Sequence, residues 1–512
     1  MMQKTFTQDQ AVDFALSRLR HQKIGEAQKI LESLEASSSK VILAQARLDY
    51  ALKNNQQAFE KASGLLKSNP GNDEAIAFLC MIWARSGEIE KTKPHLFRLE
   101  GVEIASPHFW HDLAHVFYAG KNQIAAQSCS DKALQYDAEW VASWMLKGRI
   151  EHDQGTPDKA IHSFLRALSI TPNDGQIYLH LHVCFYQIAQ YEKALHFLKL
   201  AKSCGLDSPS LQLGEAHCLL KQGFLQKGFR KYKARYAENN VSLTKPDSTL
   251  PFWKGQPVKG RKILVYCEQG YGDVIQFSRF LLELADKGAE VTFVCRKALI
   301  DLLAHSLPQI NVCDKVSDSS AFDFQSYLID LAAYLEVSID NMPHREAYLT
   351  PPAPFAHSFP EDGKPKIGLV WEGSNLHMRN HLRSLQLDQL KPLLEQEKFD
   401  WVSLQLSPSQ ELPNANHIFI YTNEIVSFAD TAALIDQLDL IITIDTSVAH
   451  LAAAMGKPVW IMVDKSADWR WMDERTDSYW YQSVRLFRQK TFGDWDGVIT
   501  DITQTLRHYF PT

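Results

Sequence analysis

Several things are scarce or missing in this 512-residue chain, and each closes off a class of protein. The eight cysteines (Cys80, Cys129, Cys184, Cys204, Cys218, Cys267, Cys295 and Cys313) are scattered and form no Cys-x-x-Cys pair. A disulfide framework and a zinc knuckle are therefore not expected, and these residues read as reduced small residues of a cytoplasmic protein. No apolar run reaches the roughly 18 residues that span a bilayer. Met1 to Gln10 is polar, so no secretory signal is expected. No Lys/Arg-rich run offers a phosphate-tracking stripe, and the formal net charge is −6, which argues against nucleic acid as a partner. No basic amphipathic helix marks a membrane surface either. What remains, with 45% hydrophobic and 22% charged residues, is an ordinary globular composition, long enough for two or three domains.

The N-terminal half repeats. Ala58, Thr92, Ala126, Ala160, Ala194 and Gly228 are small residues spaced by 34. Pro70 and Pro172 follow two of these anchors by twelve residues, and Trp110 and Trp144 precede two of them by sixteen. This is the tetratricopeptide spacing, in which each unit is a helix pair and small residues let the helices pack closely. A shorter unit centred on Ala27 starts the series, and about seven units run from residue 10 to 236, with the one around Thr92 degenerate.

Residues 237–261 break the helical pattern with Asn239, Asn240, Pro246, Pro251, Gly255, Pro257 and Gly260, and read as a linker pinned by Phe252 and Trp253. From Lys262 short apolar runs alternate with longer amphipathic ones, which implies parallel sheets covered by helices. Strands are expected at 263–267, 291–295 and 327–330, then at 367–371, 401–406, 440–444 and 459–463, with a last helix at 494–509. Five prolines in 351–366 make that stretch a hinge. The expected division is a helical repeat domain (1–236), a linker (237–261), a first Rossmann-like domain (262–350), a hinge (351–366) and a second Rossmann-like domain (367–512). Such a division leaves a cleft between the sheet domains.

Three loops carry chemistry. Leu440 to Ile444 is a buried strand that breaks at Asp445, and a small-residue helix starts at Thr446. Asp445, Thr446 and Ser447 at that junction either cap the helix or leave its N-terminus to an anion. His450 joins them at the carboxyl edge of the sheet, where α/β folds bind ligands. Glu268-Gln269-Gly270-Tyr271-Gly272-Asp273 follows the first strand of the first sheet domain. Gly270 and Gly272 permit close backbone approach, and Asp273 either caps a helix or takes a proton from an attacking hydroxyl. In the second sheet domain a polar loop runs from Trp371 through Asn375 and His377 to Arg383, whose guanidinium suits bidentate pairing with phosphate. Trp469 and Trp471 can stack on a base or sugar or simply close the domain. Asp494-Trp495-Asp496 reads as a helix cap, and no cluster has convincing metal-ligand spacing, so no metal or other cofactor is expected.

Together, residues 268–277, Val-Trp-x-Gly-x-x-x-His at 370–377, Arg383-Ser384, Asp-Thr-x-Val-Ala-His-Leu at 445–451 and Asp-Trp-Arg-Trp at 468–471 resemble a family of bacterial tetratricopeptide-repeat glycosyltransferases. The catalytic half is similar to the lipopolysaccharide heptosyltransferases, and the layout resembles the flagellin glycosyltransferases. The resemblance implies an α-solenoid followed by a glycosyltransferase-B fold, with two Rossmann-like domains, the acceptor-side one at 262–350 and the nucleotide-sugar one at 367–512, and an interdomain cleft. It implies Asp273 as general base and Asp445, Thr446 and His450 as donor-binding residues. One position departs from the family, since Asn380 stands where an Asp is usual. The implied reaction moves a sugar from a nucleotide-sugar to Ser or Thr of a protein acceptor, with flagellin the leading candidate. ADP-heptose, a UDP-N-acetylhexosamine and a CMP-nonulosonic acid all fit as donors. A non-catalytic scaffold and a transferase for a lipid-linked or lipopolysaccharide sugar are the alternatives.

Overall fold

Helix starts in the N-terminal half are written by caps. Thr7, Ser38, Asn72, Ser106, Asn122 and Asp174 each accept a hydrogen bond from a first-turn backbone N–H through a side-chain oxygen. The computed structural model describes residues 7–237, 249–343, 347–374, 379–406, 410 and 412–511. The chain divides into two compact units, Met1–Leu206 and Asp207–Thr512.

The first unit is a series of helix pairs: Gln8–Arg20 with Ile24–Glu32, Ser39–Ala51 with Asn55–Ser68, Asp73–Arg85 with Lys93–Glu100, Pro107–Ala119 with Gln123–Tyr136, Val141–Asp153 with Pro157–Ile170, and Gly175–Gln187 with Tyr191–Ser203. Ala58, Thr92, Ala126, Ala160 and Ala194, the anchors of the 34-residue period, are all fully buried. The tryptophans 34 apart make the same bond: Trp110 Nε1–H donates to the Ile104 carbonyl and Trp144 Nε1–H to the Ala138 carbonyl, both at 2.9 Å. The degenerate unit around Thr92 has a 3-10 turn, Ile89–Thr92, and a helix of only 8 residues.

The second unit opens with one more helix pair, Pro209–Lys221 and Leu225–Tyr232, followed by the 3-10 segment Lys233–Ala237. The expected end of the repeat domain at 236 thus differs from the packing boundary, which falls at Leu206. The reason is hydrophobic, because Phe229 packs on Phe277 and Trp469 at ring separations of 5.8 and 5.6 Å.

Two parallel sheets follow. The first contains β1 (Lys262–Tyr266), β2 (Glu290–Val294), β3 (Asn311–Cys313) and β4 (Phe324–Tyr327) in the order β3-β2-β1-β4. The second contains β5 (Lys366–Val370), β6 (Asp400–Ser403), β7 (Ile418–Ile420), β8 (Leu440–Ile444), β9 (Val459–Val463) and β10 (Val484–Arg488) in the order β10-β9-β8-β5-β6-β7. Each order reverses direction once, between β1 and β4 and between β5 and β8. That is the doubly wound pattern whose ligand crevice lies at the carboxyl ends of the reversing strands. Alternate residues of β8 face opposite cores, with Leu440, Ile442 and Ile444 against the last helix, Trp495–Tyr509, and Ile441 towards the shared interior of the unit.

Two expectations shift. The strand expected at 327–330 lies at Phe324–Tyr327, because Ile263 pairs with Phe324 and Tyr266 with Tyr327; Asp330 instead opens a short helix. The strands β3 and β7 are only 3 residues long, and β10 is interrupted by Arg485 and ends in Arg488, so none of the three stands out in the sequence. Among the described residues no helix is long and apolar enough to cross a membrane.

Two glycines give opposite expectations. A methyl group at Gly228 would stand 2.6 Å from Leu220 Cγ and 3.1 Å from the Leu220 backbone nitrogen, whereas Gly64 has nothing within 4 Å. Overpacking costs about 1–3 kcal/mol and removing a helical glycine gains roughly 1 kcal/mol. Gly228→Ala should therefore lower the melting temperature of the second unit while Gly64→Ala raises that of the first, as followed by calorimetry.

Candidate functional site

At the switch point of the second sheet, β8 ends in Asp445 and the helix Ser447–Ala454 begins. Thr446 holds the N-cap position in an extended conformation, but its side chain makes no capping hydrogen bond. Thr446 Oγ1 lies instead 3.3 Å from Thr443 Oγ1. The first-turn N–H groups of this helix are thus not capped by Thr446, and they supply the positive end of its dipole.

The neighbouring strand β5 leads into Trp371-Glu372-Gly373. The backbone N–H groups of Trp371 and Glu372 donate to Gln405 Oε1 at 3.2 and 2.9 Å. A methyl group at Gly373 would stand 2.4 Å from Asn380 Oδ1 and 2.6 Å from Arg383 Nη2, so only glycine lets these side chains close over the loop. Arg383 Nη1 donates to the Asp445 carbonyl at 2.8 Å, which sets its guanidinium beside the end of β8. Asn380 Oδ1 accepts from Ser384 Oγ at 3.1 Å and Arg383 Nε at 3.4 Å, an acceptor task for which Asn suffices where the family has Asp. Asn375 and His377 lie outside the described residues.

The first sheet meets this site through its glycine loop. A methyl group at Gly272 would stand 2.9 Å from His450 Cδ2 and 3.5 Å from Ser447 Cα, so the helix Tyr271–Phe277 crosses the start of Ser447–Ala454 at a distance only glycine allows. Asp273 takes the capping role of the two read for it. Its Oδ2 accepts from Gly270 N–H at 2.8 Å, and its Oδ1 is paired with Arg470 from the opposite sheet domain. Gly270 serves as the N-cap of that helix.

Arg470 binds across the seam. Nη1 donates to Asp468 Oδ1 at 2.8 Å, Nε to Gln276 Oε1 at 2.6 Å, and Nη2 to Asp273. Burial alone would raise Asp468, but Arg470 overcomes it and holds the carboxyl at about 2. Burial, then the charge on Asp468, pushes Asp445 up to about 6, with Arg383 and Arg470 offsetting part of the rise. Burial, then Arg470, drives His450 down to about 3, so its imidazole is neutral. That ring lies flat against Trp471 at 5.4 Å, Nδ1 is 3.1 Å from the Tyr481 hydroxyl, and Nε2 is 4.0 Å from Asp445.

The structure therefore gathers Gly270, Gly272, Asp273, Arg383, Asp445, Thr446, Ser447 and His450 at one seam. It corrects the reading of the tryptophans. Trp469 and Trp471 are 2% and 1% exposed, packed on Phe229 and Trp480 and on His450 respectively, so neither ring offers a face to a base or sugar. They close the domain. Asp494 Oδ1 accepts from Gly497 N–H at 2.9 Å, as a cap does. Among the described residues no group of three His, Cys, Asp or Glu is placed to hold a metal ion. Sequence reasoning grouped Arg470 with the tryptophans of its motif and missed its pairing with Asp273. It also missed the fully buried Arg279, whose guanidinium donates to the Trp480 carbonyl at 2.7 Å across the same seam.

Comparison with known proteins finds partial matches. The model of glycosyltransferase family 9 (heptosyltransferase) matches residues 425–461, which hold β8, the Ser447–Ala454 helix and the start of β9. Protein FlbA of Caulobacter vibrioides is 24% identical over 412 residues, covering 74% of this chain and 69% of that protein. BBSome complex member BBS4 of Bos taurus is 26% identical over 199 residues, and the chain spans only 38% of its length. Among solved structures, a thermophilic TPR protein of Thermus thermophilus overlays 36% of this chain at 20% identity and TM-score 0.29, covering all of that protein. MamA overlays 31% at 17% identity and TM-score 0.27, covering 94% of that chain. The fold and site thus define a helical-repeat unit joined to a two-sheet α/β unit of the glycosyltransferase-B type. In its motifs and its matched segment, the chain is similar to the tetratricopeptide-repeat glycosyltransferases.

The raised Asp445 has a measurable consequence. An acid whose pKa rises on folding from 3.8 to about 6 costs stability in full above the higher value; the cost fades as pH falls between the two and is gone below the lower. Asp445→Asn should accordingly raise the melting temperature at neutral pH, with a gain on the order of 1–3 kcal/mol that disappears by about pH 4. His450 works in the opposite sense, since its stabilisation is lost as pH falls below 6.5, but it does so in both proteins and cancels in the difference. Paired thermal melts across that pH range are the measurement.

Proposed function

We propose that this chain is a glycosyltransferase that moves a sugar from a nucleotide-sugar to Ser or Thr hydroxyls of a protein acceptor recognised by the repeats, with flagellin the leading acceptor. The observation that carries the reading is the start of the Ser447–Ala454 helix. It opens without an N-cap side-chain bond at a switch point, beside the Arg383 guanidinium and against the glycine loop of the other sheet. A diphosphate or phosphate leaving group seated there would receive backbone N–H donors and a positive dipole. In the step itself the acceptor hydroxyl gives its proton to Asp273, the oxygen bonds to the anomeric carbon, and the bond to the nucleotide oxygen breaks. Asp273 Oδ1 must exchange Arg470 for the acceptor hydroxyl before it can act. No metal or other cofactor is assigned a part.

The competing reading is a scaffold that binds without catalysis, and the engagement of Asp273 by Arg470 is the observation on its side. A lipopolysaccharide or lipid-linked acceptor is favoured by the heptosyltransferase character of the matched segment; the helical repeats, which fit an extended polypeptide, favour a protein. The family 9 match supports the transferase half and leaves the acceptor open.

Two mutations separate binding from chemistry. Thr446→Ala should weaken binding of the matching nucleotide among ADP, UDP and CMP by about ten- to a hundredfold, the worth of a hydrogen bond to a charged group. Asp273→Ala should leave that affinity nearly unchanged and slow transfer by roughly 10² to 10⁴. Calorimetry and turnover together read both, and an Asp273→Ala variant with half of wild-type turnover refutes the base role.

A truncation tests the acceptor. Because the compact unit begins at Asp207 rather than after the linker, the informative fragment is 207–512. It should retain slow donor hydrolysis and lose modification of flagellin, since the repeats no longer raise the local acceptor concentration. Equal glycosylation of flagellin by fragment and full chain would show that the repeats serve another purpose.

A further inference from the structure

The helix pair Pro209–Lys221 and Leu225–Tyr232 continues the repeat in sequence, yet its polar side chains are spent inside the second unit. Lys221 is 4% exposed. Its ammonium pairs with Asp473 at 3.0 Å and donates to the carbonyls of Met472 at 3.0 Å and Ala467. It therefore grips both ends of the 467–473 loop that carries Arg470. The turn between the two helices sits against both sheet domains. A methyl group at Gly223 (φ +83°) would stand 2.7 Å from Ile339 Cδ1 and 3.1 Å from Met472 Cε.

The other end of the pair grips the glycine loop. Tyr232 and Gln269 exchange hydrogen bonds at 3.2 and 3.4 Å, with Gln269 in the left-handed region at φ 57°. Arg235, 2% exposed, pairs bidentately with Glu268 at 2.6 and 2.7 Å and reaches Asp330 at 3.0 Å. The Tyr236 hydroxyl donates to the same Asp330, and Ile329 N–H donates to Glu268 at 3.1 Å. Glu268 and Asp330 lie at the carboxyl ends of β1 and β4, the switch point of the first sheet. In a doubly wound sheet that crevice ordinarily takes a ligand; here a guanidinium of the same chain fills it.

We propose that this terminal helix pair is a positioning element of the transfer site: Lys221 fixes the loop of Arg470, while Tyr232 and Arg235 fix the loop of Asp273, so that the two meet at a set spacing. The inference rests on the proposed function of the seam. Lys221, Tyr232 and Arg235 are positioning residues, acting through Arg470, Gln269 and Glu268. Their geometry also assigns the first switch point to the chain's own arginine, leaving the nucleotide to the second.

The test is hydrogen exchange of the full chain without ligand, read on peptides covering 267–277, 467–473 and, as reference, 447–454. Arg235→Met should speed exchange in 267–277 by about tenfold and spare 467–473; Lys221→Met should do the reverse, with the reference peptide unchanged in both. Tyr232→Phe and Arg235→Lys, which disturb a smaller part of the contacts, give smaller changes in 267–277 and keep the test open should a Met variant not fold. Turnover of UDP-N-acetylglucosamine, ADP-heptose and a CMP-nonulosonic acid should fall in the Met variants with KM nearly constant for any donor the wild type turns over. Unchanged exchange in both loops, or an even rise across all three peptides, overturns the proposal, as does a loosened loop with undiminished turnover. Loosened loops in a chain that turns over none of these donors would instead leave the clamp standing and count against the transferase reading.

Discussion

A guanidinium taken out of water is among the most expensive groups a protein can bury, and Arg470 is 8% exposed. Its partners are what make that burial tolerable: Asp468 on its own loop, and Asp273 and Gln276 on a helix of the other sheet domain. An arginine fork satisfied from two domains fixes their relative orientation in a way a hydrophobic contact does not, because its hydrogen bonds are directional. The neighbouring groups answer to it. Asp468 stays ionised because Arg470 outweighs its burial, while burial first, with Arg470 second, keeps His450 neutral, and burial followed by the charge of Asp468 raises Asp445. The charge state of the seam thus follows from burial together with the placement of one cation.

Close approach is the second constraint. Gly272 lets one helix start lie on another, and Gly373 lets Asn380 and Arg383 fold back over the end of β5. Neither glycine has a positive φ; both are needed for the space a side chain would occupy. In this site glycine removes volume so that helix starts and donors converge, and the chemistry is supplied by the residues that crowd into the gap.

The parts legible in the sequence were those governed by local periodicity. Five anchors from Ala58 to Ala194 proved to be fully buried helix contacts, and β8 and β9 occupy the residues their apolar runs foretold. The loops after β1, β5 and β8 could be found because the doubly wound pattern puts ligand residues after buried strands. What could not be read were long-range pairings. Nothing near Lys221 announces that its ammonium will be held by carbonyls 246 and 251 positions away. Arg235 likewise looks like one more basic residue at a helix end. The tryptophans failed for a related reason, since a planar side chain at a sheet edge has the same sequence signature whether it covers a ligand or is itself covered.

The packing boundary at Leu206, ahead of the last helix pair, has a bearing on how such a chain can change over time. A repeat that touches only its neighbours can be duplicated, lost or exchanged as a unit. Upstream of the boundary that condition is loosened by ion pairs that skip intervening repeats, Arg20 with Asp137 at 2.5 Å and Arg47 with Asp112 at 2.6 Å, whereas the seventh pair is tied by Lys221, Tyr232 and Arg235 to the loops of the sheets. Variation in repeat number is therefore less constrained upstream of residue 207 than at the pair that follows it. Lineages that differ in the length of their solenoids would be expected to share this last pair unchanged, as an inherited fitting onto which different solenoids have been spliced.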